Sequence, residues 1–277
     1  MRLGYNTNGL AHHRWEDALA LIAETGYRSV AITVDHHCLP PWSPTLPGDV
    51  QQMCEVLRRY DLHCVIETGA RFLLDPRRKH APTLLSSTDD ERERRQQFLR
   101  YCVDLAAALN ADAVSFWSGT DHDQTPSEVL WTRLTDGCRG LVEYAERQFV
   151  RLAFEPEPGM FLQTGDEFQR LLEAVDHPSF GLTLDVGHVH CLQDGSIAEH
   201  IRRWPDRLWN IHIEDMQPGV HEHLPFGEGS IDFPAVFTAL REIGYTGGVH
   251  VELSRHSHDA PTQLRKSFAF LQALVGR

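Results

Sequence analysis

Residues 180–190 read FGLTLDVGHVH. The first six positions are mostly apolar with little alternation, which is how a strand buried on both faces of a parallel sheet reads. Asp185 then closes the run, and His188 and His190 follow within five positions. A carboxylate at the end of a buried strand has two explanations. Either local hydrogen bonds hold it, as in a helix cap, or it is part of a metal site.

Seven other segments share this form. RLGYN (2–6), SVAITV (29–34), LHCVIET (62–68), ADAVSFW (111–117), VRLAFEPE (150–157), LWNIHIED (208–215) and GGVHVEL (247–253) are short and rich in apolar and β-branched residues. Amphipathic stretches lie between them. RWEDALALIAETG (14–26) has apolar spacing of three to four and a closing glycine, as a helix end prefers. DDERERRQQFLRYCVDLAAALN (89–110) starts charged and becomes apolar, and DFPAVFTALREIG (232–244) again ends in glycine. TGDEFQRLLEAV (164–175) opens on Thr164 with Glu167 three residues on, the spacing of a capping box. A last helix is expected near 261–275. Eight strand–helix repeats across residues 1–277, with no break in composition, predict an α/β fold of one domain, a single (β/α)8 TIM barrel. An open doubly wound sheet would want a glycine-rich phosphate turn after the first strand, and NTNGLAHH (6–13) is not one.

The bulk numbers agree. A chain of 277 residues with 42% hydrophobic composition can fill one large barrel. Its net charge of −13, with positive charges scattered, argues against binding nucleic acid through phosphates. The start, MRLGYNTNGL, has no basic segment followed by an apolar one, and no apolar run approaches a membrane span. Cys38, Cys54, Cys64, Cys102, Cys138 and Cys191 are widely spaced with no CxxC pair, as reduced thiols of a cytoplasmic protein would be. The expectation is a soluble cytoplasmic protein without membrane or nucleic-acid partners.

Two long segments, DHHCLPPWSPTLPGD (35–49) and GARFLLDPRRKHAPTLLSSTDD (69–90), follow the second and third strands. Both leave the strand ends where barrel active sites are built, so they are expected to cover a substrate. Polar residues crowd the ends of strands five to eight: Glu155 and Glu157, then Asp185 and His188, then His212, Glu214 and Asp215, then His250, Glu252 and His256. In a barrel these four ends converge. Two glutamates, an aspartate and a histidine around one point match an oxygen-rich site for one divalent ion, Mn, Mg, Co or Zn. Without a cation, three packed carboxylates would repel one another.

FEPEPG, LTLDVGH, NIHIEDM, PFGEGSIDF and VHVEL together resemble the xylose isomerase-like TIM-barrel superfamily. It includes the sugar phosphate isomerases and epimerases, inosose-processing enzymes and the zinc-dependent AP endonucleases (AP endonuclease family 2). The resemblance follows strand order over the whole chain and is most specific from residue 150 to 253. It implies Glu155, rather than Glu157, with Asp185, His212 and Glu252 as metal ligands, and His188 beside them touching substrate. Glu157 is then a candidate for substrate contact.

In the loop GVHEHLPFGEGSIDF (219–233), the epimerases usually carry a substrate-holding arginine, and none lies between Asp215 and Asp232. The endonuclease branch binds further zinc with residues spaced like His221 and His223. A second metal through His188 and His223 is therefore an open expectation, with contact between His223 and substrate as its rival. That branch also uses histidines at the ends of strands three and four, where Glu67 and Trp117 stand here. Upstream, Arg71, Arg77, Arg78, Lys79 and His80 could grip a phosphate or carboxylate, with a solvated charge run as the alternative. His36 or His37 is placed to hydrogen-bond a sugar hydroxyl, and Trp15, Trp42 or Trp117 to stack on a sugar or to pack.

The expected activity is metal-dependent isomerisation or epimerisation of a sugar, sugar phosphate or cyclitol. A divalent ion would polarise a ketose carbonyl, and Glu155 and Glu252 would act as base and acid through a metal-stabilised enediolate. Loss of a β-hydroxyl from the same intermediate would make a dehydratase of the inosose or dehydroshikimate type. A multi-zinc phosphodiester hydrolase is the more distant alternative. By analogy with the fold, a homo-oligomer is possible.

Overall fold

The computed structural model describes residues 1–275. Eight parallel strands close into a barrel in the order β1-β10-β7-β6-β5-β4-β3-β2. They are β1 (Arg2–Asn6), β2 (Ser29–Thr33), β3 (His63–Glu67), β4 (Val114–Phe116), β5 (Leu152–Phe154), β6 (Phe180–Asp185), β7 (Leu208–Ile213) and β10 (Gly248–Val251). Each lies inside a segment read as a strand from sequence, so the single (β/α)8 barrel stands and the open sheet does not. The helices α1 (Trp15–Thr25), α3 (Asp89–Leu109), α5 (Gly165–Val175), α8 (Phe233–Glu242) and α9 (Ala260–Val275) fall where expected. Four more helices complete the outer layer: α2 (Leu46–Tyr60), α4 (Ser127–Glu146), α6 (Val186–Leu192) and α7 (Ile197–Arg203). The last two have seven residues each, too few turns for the apolar period to declare itself.

The strands alternate, as a barrel requires. Outward residues such as Phe116, Phe154 and Phe180 are fully buried under the helices, with Phe168 of α5 stacked on Phe154 and Phe180. Inward residues are small or polar and bond across the bore. Thr183 Oγ1 donates to Ser115 Oγ at 2.9 Å, and the His250 ring bridges Ser29 Oγ and Asn210 Oδ1 at 2.8 Å each. His250 is thus a buried interior histidine. A Cβ on Gly4 or Gly248 would lie 2.3 or 2.2 Å from its ring, so the glycines make room for it.

Local signals are honoured. Gly26 ends α1 at φ 117°, where its N–H donates to the Ala23 carbonyl and the Tyr27 N–H donates to the Ile22 carbonyl. Thr164 and Glu167 form the full capping box of α5. The segment read as a plain loop after strand seven instead contains a hairpin, β8 (Asp215–Gln217) against β9 (Val220–Leu224). Asp215 fixes the turn beyond it, because its carboxylate accepts from the backbone N–H groups of Met216, Gly227 and Ile231. No described helix is long and apolar enough to cross a membrane, and all six cysteines are free.

Candidate metal centre

Strand register brings the site together. Asp185 on β6 pairs with His212 on β7, and His212 pairs in turn with His250 on β10. One pleat further, Glu252 leaves β10, and Glu155 follows β5. Ligand atoms of Glu155, Asp185, His212 and Glu252 all lie within 4.8 Å of one another. His212 Nδ1 is 2.9 Å from Glu155 Oε1, 2.9 Å from Glu252 Oε2 and 3.9 Å from Asp185 Oδ2. The four residues singled out from strand ends do converge.

The two oxygens of Asp185 have different surroundings. Oδ1 accepts from the His188 backbone N–H at 2.9 Å and caps α6. Oδ2 is buried, faces the cluster and has no hydrogen-bond partner, which is costly for a carboxylate unless a cation or donor completes it.

Two residues not chosen from sequence serve the cluster. Glu67, at the end of β3, lies 2.9 Å from His212 Nε2 and accepts from Asn210 Nδ2 at 3.1 Å. It closes an apolar run on an acid, just as Asp185 does, and that signal could have found it. Asn8, beyond β1, donates from Nδ2 to Glu252 Oε1 at 2.8 Å.

Burial and mutual repulsion pull the carboxyls apart electrostatically. Burial raises Glu155 to about 7, although His212 pulls the other way. Burial also disfavours the charged form of Glu252, but His212 outweighs it and holds that carboxyl well below its usual range. Burial would lower His212, yet Glu67, Glu155 and Glu252 together keep the imidazolium far above its ordinary range. Burial pushes Glu157 up, helped by Glu155 and Glu252. The opposed shifts follow from carboxyls and an imidazolium packed together out of water.

Glu155, His212 and Glu252 floor a cavity of about 180 Å³ at the barrel mouth. His188, His223, Glu157 and Arg71 line it, as proposed for substrate contacts, and so does Trp117. His37 does not. Asp35 and Cys38 form an isolated antiparallel bridge, and the tight turn between them leaves His36 and His37 exposed. Trp15 is core and Trp42 is 54% exposed against His36, so neither is placed to stack on a sugar in the cavity.

His188 lies between Asp185 and the hairpin. Its Nδ1 donates to the Pro156 carbonyl at 3.2 Å, which leaves Nε2 as an acceptor 3.2 Å from His221 Nε2. Burial lowers His188 to about 4, so it is neutral. His188, His221 and His223 each offer a nitrogen within 4.8 Å of the others, and Asp185, Glu214 and His223 form a further such group. Glu214 is fully buried, with neither oxygen hydrogen-bonded.

The sequence pattern of the xylose isomerase-like TIM barrel family (AP_endonuc_2) matches residues 19–274. L-ribulose-5-phosphate 3-epimerase UlaE of Escherichia coli (strain K12 / DH10B) is 24% identical over 218 residues, 78% of this chain and 76% of the relative. The D-allulose 3-epimerase from Methylomonas sp., solved with D-allulose, superposes with a TM-score of 0.79 at 20% identity, over 99% of this chain and 96% of that one. The IOLI protein, solved with a bound zinc atom, gives a TM-score of 0.79 at 19% identity, over 100% of this chain and 98% of that one. At these identities the structural likeness establishes the fold.

Proposed function

The chain belongs to the xylose isomerase-like TIM barrel family, and on that footing we propose that it is a divalent-metal-dependent ketose epimerase. The observation that carries the metal is Asp185 Oδ2, a buried carboxylate oxygen with no hydrogen-bond partner, turned toward two more carboxylates and an imidazole nitrogen. Three oxygen donors and one nitrogen suit Mn, Mg, Co or Zn, and Glu155, Asp185, His212 and Glu252 would hold the ion. When bound, it would draw electron density from the carbonyl of a ketose and acidify the neighbouring C–H.

The chain's own residues then move the proton. Glu155 and Glu252 flank His212 Nδ1 at equal distance, from strands on either side of it. One takes the proton from one face of the substrate and the other returns a proton to the opposite face, which inverts that carbon. Glu67 keeps His212 oriented, and Asn8 orients Glu252. Neutral His188 lines the cavity beside them, with its Nε2 facing His221. Epimerisation is preferred over aldose–ketose isomerisation or dehydration because relatives that share the chain's length are named as 3-epimerases.

The test is metal content per chain, followed by solvent deuterium uptake into ketoses, read by NMR. One equivalent of a divalent ion with exchange at a single carbon next to the carbonyl supports the reading. Exchange that survives complete metal removal would refute it. The imidazole cluster of His188, His221 and His223 is the one observation that favours a second reading, a multi-metal phosphodiester hydrolase. Two or three equivalents of zinc, with cleavage of a phosphodiester, would favour it instead.

A further inference from the structure

The mouth of the cavity carries a cationic pole that the proton-transfer chemistry does not use. In the segment after β3, the His80 backbone N–H donates to the Arg71 carbonyl at 2.5 Å, and His80 Nδ1 donates to the Gly69 carbonyl at 2.6 Å. This clamp folds residues 69–80 back on themselves, so Arg71 and Lys79 both line the cavity that holds the carboxylate cluster. Two other cations nearby are engaged. Arg78 bonds Asp75 and Glu91, and Arg255 reaches Glu222 at 3.3 Å. Among the described residues, Arg71 and Lys79 have no acidic partner within salt-bridge distance.

A third cation stands behind them. Arg95 of α3 is wholly buried, stacked 4.5 Å over the Trp117 ring, and Trp117 lines the cavity. Its Nη2 donates to the Thr68 carbonyl, while Nε and Nη1 have no partner. Burial lowers this guanidinium only to about 10, so it stays charged at neutral pH. A buried charge with no counter-ion is expensive. Its expense is recovered when an anion comes to rest nearby. His80 itself feels the same field: burial lowers it to about 4, and Lys79, Arg95 and Arg71 all push it the same way. It is neutral, so it adds no charge of its own.

The geometry points to a substrate with a phosphate ester, gripped by Arg71 and Lys79 at the end of the cavity away from the reacting carbon. Two unpaired cations match the charge of about −1.5 to −2 on a phosphate monoester at neutral pH. Arg95, behind Trp117, contributes a fixed positive potential without touching the ligand. The segment that carries Arg71 and Lys79 thereby takes over the substrate-holding task for which the loop after strand seven has no arginine. This inference rests on the ketose reading of the same site and specifies its substrate class.

The test is calorimetric titration of metal-loaded protein with D-ribulose and D-ribulose 5-phosphate, and with D-fructose and D-fructose 6-phosphate. Each ester is expected to bind about tenfold to hundredfold more tightly than its free sugar. Arg71→Met and Lys79→Met are each expected to cut that ratio by about tenfold. Equal affinity within both pairs overturns the inference. So does a preference that survives both substitutions, because the metal would then be holding the phosphate. Tighter binding of the sugar acid D-fructuronate than of either ester also overturns it. Absence of proton exchange with every ketose would refute the epimerase while the titrations still decide the anion grip.

Discussion

His212 Nε2 lies 2.9 Å from Glu67 Oε1, although β7 and β3 stand on opposite sides of the barrel. The contact fixes which nitrogen of the imidazole does what. Nε2–H is spent on the Glu67 carboxylate, and Nδ1 is left facing Glu155, Asp185 and Glu252.

Glu67→Gln tests that division of labour. A carboxylate behind a ligand histidine sets its tautomer and raises its basicity, and its loss typically costs about 10–100-fold in metal affinity. The variant is expected to fold normally and to bind metal about 10–100-fold more weakly, as read by competition with a fluorescent chelator.

Glu252→Gln removes one of the two proton-carrying carboxyls while keeping its shape and its contact with Asn8. Deuterium uptake into a ketose is expected to fall by about 10²–10⁴-fold, the usual worth of a general acid or base. Full activity in this variant would refute the paired-glutamate chemistry. Circular dichroism should show an unchanged fold.

Metal binding should be linked to protons. Burial disfavours charge on His212, but Glu67, Glu155 and Glu252 outweigh it and keep the imidazole protonated well above its ordinary range. An ion at Nδ1 must displace that proton, so acid favours the competitor. Affinity is expected to rise by about tenfold per pH unit wherever His212 alone titrates on binding. Calorimetry in buffers of different ionisation enthalpy should register more than one proton released per ion at neutral pH, because Glu155, raised to about 7, gives up its proton along with His212.

Phe168→Ala probes the outer layer. Phe168 is fully buried, stacked on Phe154 and Phe180 and edge-on to Trp204 at 5.3 Å. Truncation of a core phenylalanine costs about 3–5 kcal/mol. A lowered urea midpoint is expected, with the metal stoichiometry of the surviving folded protein unchanged.

Much of this was written in local sequence. A strand of a closed barrel turns alternate residues inward, so period two already puts Glu155, Asp185, His212 and Glu252 on the inner face of their strands. The strand ends themselves are marked by where apolar residues stop, as at Asp185 in FGLTLDV. The capping box at Thr164 and the glycine after α1 are equally local, since each depends on residues within one helical turn.

Tertiary structure decided what those residues meet. Glu67 and His212 are 145 positions apart, and Asn8 and Glu252 are 244 apart. Only closure of the barrel makes either pair neighbours. His37 and Arg71 looked alike as substrate contacts near a strand end, yet a bridge at Asp35 leaves one exposed while the His80 clamp places the other along the cavity. The sequence alone determined which strands carry chemistry and which face they turn inward, because that follows from backbone geometry repeated every two residues. Which loop side chains complete the site depended on contacts between distant segments, and no local period encodes those.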